Sequence, residues 1–471
     1  MDRKQFIIKN SLAFAGLALS KYTITQSDDF PVVRIPVSQR KFTSKAVENV
    51  IAEIQKNISN KKLAWMFGNC FPNTLDTTVD FEIINGRADT YVITGDIDAM
   101  WLRDSTAQIT PYIFLANKDR KLQQLIQGVI NRQVYCIHKD PYANAFYKDD
   151  KKVSPWADTD KTVMKPGVHE RKWEIDSLCY PIRLSYLYWK QTGDTTPFDR
   201  SWVEAMQLIL KTFKEQQRWN GKSPYTFQRK TAWATDGVPM GGMGYPVKPD
   251  GLICSSFRPS DDATVFSYLI PSNFFAVVAS KQAAEILRAL HQNELSEKYM
   301  QLSVQVHKAI IDNAIIQLPG LGKIYAYEIN GFGSYNLMDD TNVPSLLSLP
   351  YLGAVAANDP IYLNTRKFVF SDANPFYSNS KWGEAISSPH CGLDMLWQLS
   401  IIVRGLTSHN TTEIKMCLKQ LQDTDANTGF IHETFHKEIA GKYTRKWFAW
   451  ANTIFGEFVW KVYKEHKGLL N

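Results

Sequence analysis

The sequence predicts an all-α fold: an (α/α)6 barrel, a toroid of six helical hairpins, with small β-hairpin additions. Three observations predict it. Apolar residues recur at helical spacing along most of the 471 residues. Convincing alternating strands are few. Polar, aromatic and Gly-rich segments follow one helix after another. Roughly a dozen helices in hairpin succession fit a ring whose inner helices face each other, with loops at one end shaping a pocket.

In chain order, helices are expected at 44–59, 104–117, 120–138, 175–191, 200–218, 271–291, 294–314, 343–355, 391–406, 411–421 and 444–465. In the first, Val47, Ile51, Ile54 and Ile58 make one apolar stripe with Lys and Asn opposite, as an outer-layer helix requires. Residues 81–84 and 91–94 are expected to pair as a small hairpin around Gly86. Between the helices lie the segments 94–104, 165–176, 235–262, 327–342, 374–391 and 429–435. Loops of this kind are uncommon in a compact domain unless they serve a site.

No Pro/Gly/Ser-rich linker or long charge run divides the chain, so residues 28–471 are expected to form a single catalytic domain. Residues 1–27 are expected to be an export leader. The basic stretch Arg3-Lys4-Gln5-Phe6-Ile7-Ile8-Lys9 precedes the apolar run Leu12 to Leu19, which is too short to span a bilayer. The layout is twin-arginine-like but imperfect: Lys4 stands where a second Arg belongs, and no A-x-A site follows. A periplasmic or extracellular location is therefore expected, with no stable membrane insertion.

Hydrophobic residues at 44% and charged residues at 21% describe a globular protein. Aromatic residues reach 13%. A large core accounts for them, though pyranose rings also stack on such side chains. A net charge of +7 without any dense basic run excludes a nucleic-acid-binding protein. The six cysteines form no CxxC pair, which argues against a zinc ribbon or redox motif.

Three loops concentrate chemistry. GDIDAMWLRDS at 95–105 gathers Asp98, Trp101, Arg103 and Asp104. One carboxylate can cap the helix that follows; the others suit a sugar, whose adjacent hydroxyls take Asp/Arg forks beside an apolar ring. Replacing Arg103 is expected to damage turnover and spare the fold. The segment Phe257-Arg258-Pro259-Ser260-Asp261-Asp262 holds more charge than a helix start needs. A carboxyl in an apolar pocket keeps its neutral form and can serve as a general acid. The segment Gly429 to His436 contains HExxH, with Glu457 further on. Zinc would need both His on one helical face. Turn residues precede the motif instead, so no metal is expected. Glu174 and Asp176, Asp340 and Asn342, and His390 lie in further polar loops that turns and caps explain equally well.

Together these segments resemble glycoside hydrolase family 125, the exo-α-1,6-mannosidases, from about Phe67 to Tyr463. The elements that carry the resemblance are GDIDAMWLRDS, WEIDSLCYP at 173–181, the GFRPSDD-like stretch 256–262 and YLIPSN at 268–273. MDDTNVPSLLSLPYLG at 338–353, SSPHCG at 387–392 and IHETF at 431–435 complete the set. Ser256 replaces the glycine expected before Phe257, which touches loop shape rather than chemistry. The resemblance implies an (α/α)6 barrel, inversion of configuration and no essential metal or cofactor. It places the general acid within Asp261/Asp262 and the base at Glu433. Asp98, Trp101, Arg103, Asp104, Glu174, Asp176, Arg258, Asp340, Asn342 and His390 are then candidates for substrate binding. The implied partners are mannose-containing glycans, such as N-glycan or mannan fragments. The competing readings are a helical-barrel glycosidase for another α-linked sugar, a non-catalytic glycan-binding protein, and a metalloprotease.

Overall fold

Twelve α-helices of eight or more residues occur among the described residues, which are 30–471 of the computed structural model. The proposed leader lies outside them. In chain order they are α1 Lys45–Asn57, α2 Lys61–Cys70, α3 Leu102–Ile109, α4 Arg120–Lys139, α5 Ile175–Thr192 and α6 Arg200–Gln216. They continue with α7 Ile270–Ala289, α8 Asn293–Asn313, α9 Pro360–Val369, α10 Gln398–Leu406, α11 Thr411–Asp423 and α12 Ala449–Glu465. None of the described helices is long and apolar enough to cross a membrane.

The helices fall into two layers. In α3 and α10 every residue is buried, and α5, α7 and α12 are buried over most of their length. These are the inner helices: α5 packs on α3 and α7, α12 packs on α10, and α12 returns to α3. The outer helices α1, α4, α6 and α11 show a wet face and an apolar stripe. The outer layer is also where the ends obey local rules. Ser44, Asn60, Asp119, Asp199, Asp359 and Asn410 each accept a backbone N–H at the start of α1, α2, α4, α6, α9 and α11. Such a cap contributes about 1 kcal/mol.

This arrangement is the expected all-α (α/α)6 toroid with one inner position altered. The segment 343–355, expected as a helix, is a run of turns. It stands in the chain where the fourth inner helix belongs. It is buried from Val343 to Leu349 and bonded to α5 through Tyr180 Oη on the Val343 carbonyl, at 2.8 Å. Local chemistry overrides the helical pattern. Pro344 and Pro350 supply no N–H, and the N–H groups of Leu346 and Leu347 each donate to Asp339, at 3.0 Å. The helices α2 and α9 were not expected, although Asn60 and the Asp359-Pro360 pair are ordinary start signals. The expected hairpin forms between Val79–Ile84 and Arg87–Val92, longer than anticipated.

Short strand pairs tie the loops of one end together. Met100–Trp101 pairs with Ala145–Phe146, which pairs with Val168–Glu170. Met395–Trp397 pairs with Thr434–His436. Glu328–Ile329 lies between Tyr268–Leu269 and Tyr335–Asn336. Gly95, at φ +132°, bridges to Phe448, and a Cβ there would collide with the Trp447 carbonyl. Each pairing joins the segment before one inner helix to another polar segment.

Candidate active site

The inner helices begin where these loops meet. Their N-cap residues are Trp101, Glu174, Leu269, Trp397 and Phe448, and none makes a side-chain cap. First-turn N–H groups carry partial positive charge, so carboxylates are favoured there. Asp104 sits in the first turn of α3 and Asp176 in that of α5.

Arg103 is the hub, with a side chain only 3% exposed. Its Nη1 donates to Glu174 at 2.6 Å and to Asp176 at 3.0 Å. Asp104 lies 3.6 Å from Nε, and Asp261 3.6 Å from Nη2. Four carboxyl groups thus share one guanidinium, and buried carboxyls resist ionisation. Burial pushes the Asp104 carboxyl up to about 6, against the pull of Arg103 and Arg445. Burial also raises Glu174, opposed by Arg103 and reinforced by Asp261 and Asp176. Asn144 reaches both Glu174 and Asp261, at 3.4 Å each.

The second part is the tight turn 257–263, closed by a bridge between Phe257 and Ala263 and by Arg258 N–H on the Asp262 carbonyl, at 2.8 Å. At its tip Asp261 takes φ +67°, a left-handed conformation that Asp adopts more readily than most residues. This turns the neighbouring carboxyl groups different ways. Asp261 is 23% exposed at the side chain and faces Arg103 and Asn144. Asp262 is wholly buried, accepts from Ser260 at 3.2 Å and lies 4.0 Å from His390 Nδ1. Ser260 also reaches Asp340, at 2.9 Å.

The third part holds Glu433, 10% exposed at the side chain. Thr444 donates to it at 2.9 Å, the Cys391 thiol lies at 3.7 Å, and Arg445 Nη1 at 3.7 Å. Arg445 has φ +49° and is also bound to Asp96. It acts electrostatically on both Glu433 and Asp104. The charges therefore alternate across the floor: Glu433, Arg445, Asp104, Arg103, Asp261.

Of the residues singled out in the sequence, Arg103, Asp104, Glu174, Asp176 and Asp261 form one cluster. Asp262, Asp340 and His390 form a second one joined to it through the 257–263 turn. Asn342 is buried beside them in the chain. Trp101 is 7% exposed and packs edge-on against His169, at 5.1 Å between ring centroids. Two placements depart from a role in gripping sugar. Asp98 is 73% exposed and paired with Lys152 at 2.6 Å. Arg258 is buried against Glu328, at 2.7 Å, and braces the turn from behind. Sequence reasoning missed Arg445, Asp96, Asn144 and Lys172. Asp96 lies within a recognised motif and Lys172 adjoins one; Arg445 lies in a loop with no motif, so only folding brings it to Glu433.

The HExxH segment is not helical, since Thr434–His436 is a strand. A zinc pair needs helical i,i+4 spacing, whereas extended backbone carries such residues far apart. His432 stacks on Tyr443 with centroids 3.7 Å apart. Its ring nitrogens meet Thr428 Oγ1 at 3.0 Å and the Arg445 carbonyl at 3.2 Å. A carbonyl only accepts, so Nδ1 carries the proton. Burial pushes this imidazole down to about 4. The motif thus anchors the backbone of Arg445.

Residues 60–460 match the family described as metal-independent α-mannosidase, GH125. The meiotically up-regulated gene 157 protein of Schizosaccharomyces pombe is 38% identical over 466 residues, covering 95% of this chain and 92% of that protein. A solved Streptococcus pneumoniae structure, from a family of metal-independent α-mannosidases, holds α-1,6-mannobiose in a non-productive complex. It superimposes with a TM-score of 0.86 at 38% identity, covering 89% of this chain and 99% of the other. A bacterial glucoamylase bound to acarbose shares the fold at a TM-score of 0.51 and 15% identity, covering 89% of this chain and 58% of its own.

Proposed function

The chain belongs to the GH125 family of metal-independent α-mannosidases, and from that premise we propose that it is an exo-acting, inverting enzyme that removes terminal α-1,6-linked mannose from glycans. The observation that carries the mechanism is the pair of carboxyl groups at the two ends of the charge row, Asp261 and Glu433. The pneumococcal neighbour's ligand supports the linkage. The basic and apolar stretch within residues 1–27 supports export, with periplasmic or extracellular glycans as substrate.

Asp261 is the acid, because it is the member of the Asp pair with exposed side-chain surface, whereas Asp262 has none. Burial raises the Glu174 carboxyl beside Asp261, and Asp261 gives its proton to the glycosidic oxygen. Asp262, with Ser260, Asp340 and His390, holds the turn. Glu433 is the base that takes a proton from water as it attacks the opposite face of the ring. Thr444 and Arg445 hold Glu433 ionised and aimed. Asp104, between two guanidinium groups, is placed to accept from sugar hydroxyls. Inversion requires room for that water, so the paired carboxyls of such enzymes stand roughly 6.5–9.5 Å apart.

Proton NMR of the first sugar released from an α-mannoside tests this. β-Mannose should appear before mutarotation, and Glu433→Gln should abolish turnover while still binding α-1,6-mannobiose. Release of the α anomer would make Glu433 a nucleophile or a bystander. An α-glucoside should be hydrolysed far more slowly than the α-mannoside.

A further inference from the structure

We infer that Lys172 is a positioning residue for the acid: its buried ammonium fixes the peptide of Asp261 and so aims the Asp261 carboxyl at the glycosidic oxygen. This rests on the assignment of Asp261 as the acid.

Lys172 immediately precedes Trp173 in the approach to α5, and its side chain is 2% exposed. An ammonium has three hydrogens to give, and three acceptors surround this one. Asp236 lies at 2.7 Å, the backbone carbonyl of Asp261 at 2.9 Å and Glu170 at 3.4 Å. The Phe257 ring lies 5.1 Å from it. The backbone is fixed as well, since Lys172 N–H donates to Asn144 Oδ1 at 3.1 Å. Asp236 is shared with Arg229, which also binds Glu170 at 3.0 Å and Asp160 at 2.6 Å. Lys172 is thus held in a lattice of buried charges and cannot follow the turn if it moves.

The carbonyl it holds belongs to the one residue of the 257–263 turn with a left-handed backbone, Asp261 at φ +67°. Such a conformation is strained for a residue with a Cβ and persists where surroundings enforce it. Backbone bonds from outside hold the two ends of the turn, Phe257 N–H to the Trp173 carbonyl and Ala263 N–H to the Thr235 carbonyl, while Asp261 N–H to the Arg258 carbonyl and Arg258 N–H to the Asp262 carbonyl are local. At the tip, Lys172 supplies a bond from outside the turn to the Asp261 carbonyl itself. It grips the backbone of Asp261, while Arg103 and Asn144 face the carboxylate. A peptide plane held on one side sets where the side chain points on the other.

The test separates aiming of an acid from general damage. A substrate with an excellent leaving group, 2,4-dinitrophenyl α-mannoside, needs little help from a general acid; α-1,6-mannobiose needs all of it. Lys172→Met should lower kcat on mannobiose by at least ~100-fold, within the range general acid catalysis contributes. Its loss on the dinitrophenyl substrate should stay under about 10-fold, with KM for mannobiose nearly unchanged. Asp261→Asn should show the same leaving-group dependence, and adding Lys172→Met to it should cost little more. Because a lone Lys172→Met leaves Arg229 to face both Asp236 and Glu170, Lys172→Met/Asp236→Asn is measured beside it, removing one charge of each sign. Equal losses on both substrates, or no loss on either, in the variant that folds would overturn the inference alone. Absence of leaving-group dependence in Asp261→Asn would overturn the acid assignment and the inference with it.

Discussion

Replacing Arg103 with Met should cost both stability and turnover, and the stability deficit should grow with pH. Four carboxyl groups lie within 3.6 Å of this guanidinium, and Glu174 and Asp176 have no exposed side-chain surface. Removing one partner of a buried ion pair costs about 3–5 kcal/mol, because the other charge stays buried alone. The unfolding entropy is about 2.1 cal/mol/K per residue, so roughly 440 described residues give about 0.9 kcal/mol/K. The expected fall in Tm is therefore ~3–5 °C near neutral pH. The sign with pH follows from direction. Asp104 stands at about 6, and Glu174 and Asp176 are raised by burial even with Arg103 present. Without it they rise further above their unfolded values. A raised carboxyl favours the fold at low pH, and that contribution is lost as pH climbs through the folded value. The gap between variant and parent should be small near pH 5 and widen towards pH 8. Thermal melts across that range, with kcat/KM on α-1,6-mannobiose at each pH, check both parts. A variant that melts with the parent at pH 8 and turns over normally would refute the reasoning. The sequence alone suggested that the fold would be spared; the four-carboxyl environment is what changes that expectation.

Activity should survive exhaustive chelation, because His432 is committed to Thr428 and the Arg445 carbonyl and the HExxH segment is extended. Loss on chelation with recovery on added zinc would overturn this. Arg445→Met should move the acidic limb of kcat/KM upward by about one pH unit, since a cation near 4 Å favours the ionised form of a carboxyl. Glu433 and Asp104 both lose that cation, so more of each is protonated at a given pH. An unmoved acidic limb would remove Arg445 from the base's environment.

How much the sequence disclosed depended on the layer. The outer helices α4, α6 and α11 start where periodicity and a polar cap place them, at Asp119, Asp199 and Asn410. Their ends are local decisions, made by a side chain and the N–H groups next to it. Among the inner helices, α5 and α7 also begin where expected, but the last two do not. α10 was expected from Cys391 and begins at Gln398; α12 was expected from Thr444 and begins at Ala449. The missing turns are strands and bridges: Met395–Trp397 on Thr434–His436, and Phe448 on Gly95. Those partners lie far off in the chain, so no local window contains them. At 343–355 the cause is local instead: Asp339 takes the N–H groups of Leu346 and Leu347, and two prolines interrupt the run.

The uncapped starts of the inner helices and the legibility of the site are one fact. The residues before these helices are rich in Asp, Glu, Arg and His, the types that ordinarily cap, pair at a surface or stay hydrated. Here they face each other across the ring. Arg103 joins the starts of α3 and α5, Asp261 stands before α7, His390 before α10 and Glu433 before α12. Excess polar residues at successive helix starts could therefore be recognised in the sequence as a pocket at one end. What could not be recognised is which of them oppose. Asp98 and Arg258 lie within the right motifs, yet one pairs with Lys152 at the surface and the other braces the turn from behind. Lys172 and Arg445 looked like ordinary loop cations. Each was identifiable only once the chain had brought it against a left-handed carbonyl or a distant carboxylate.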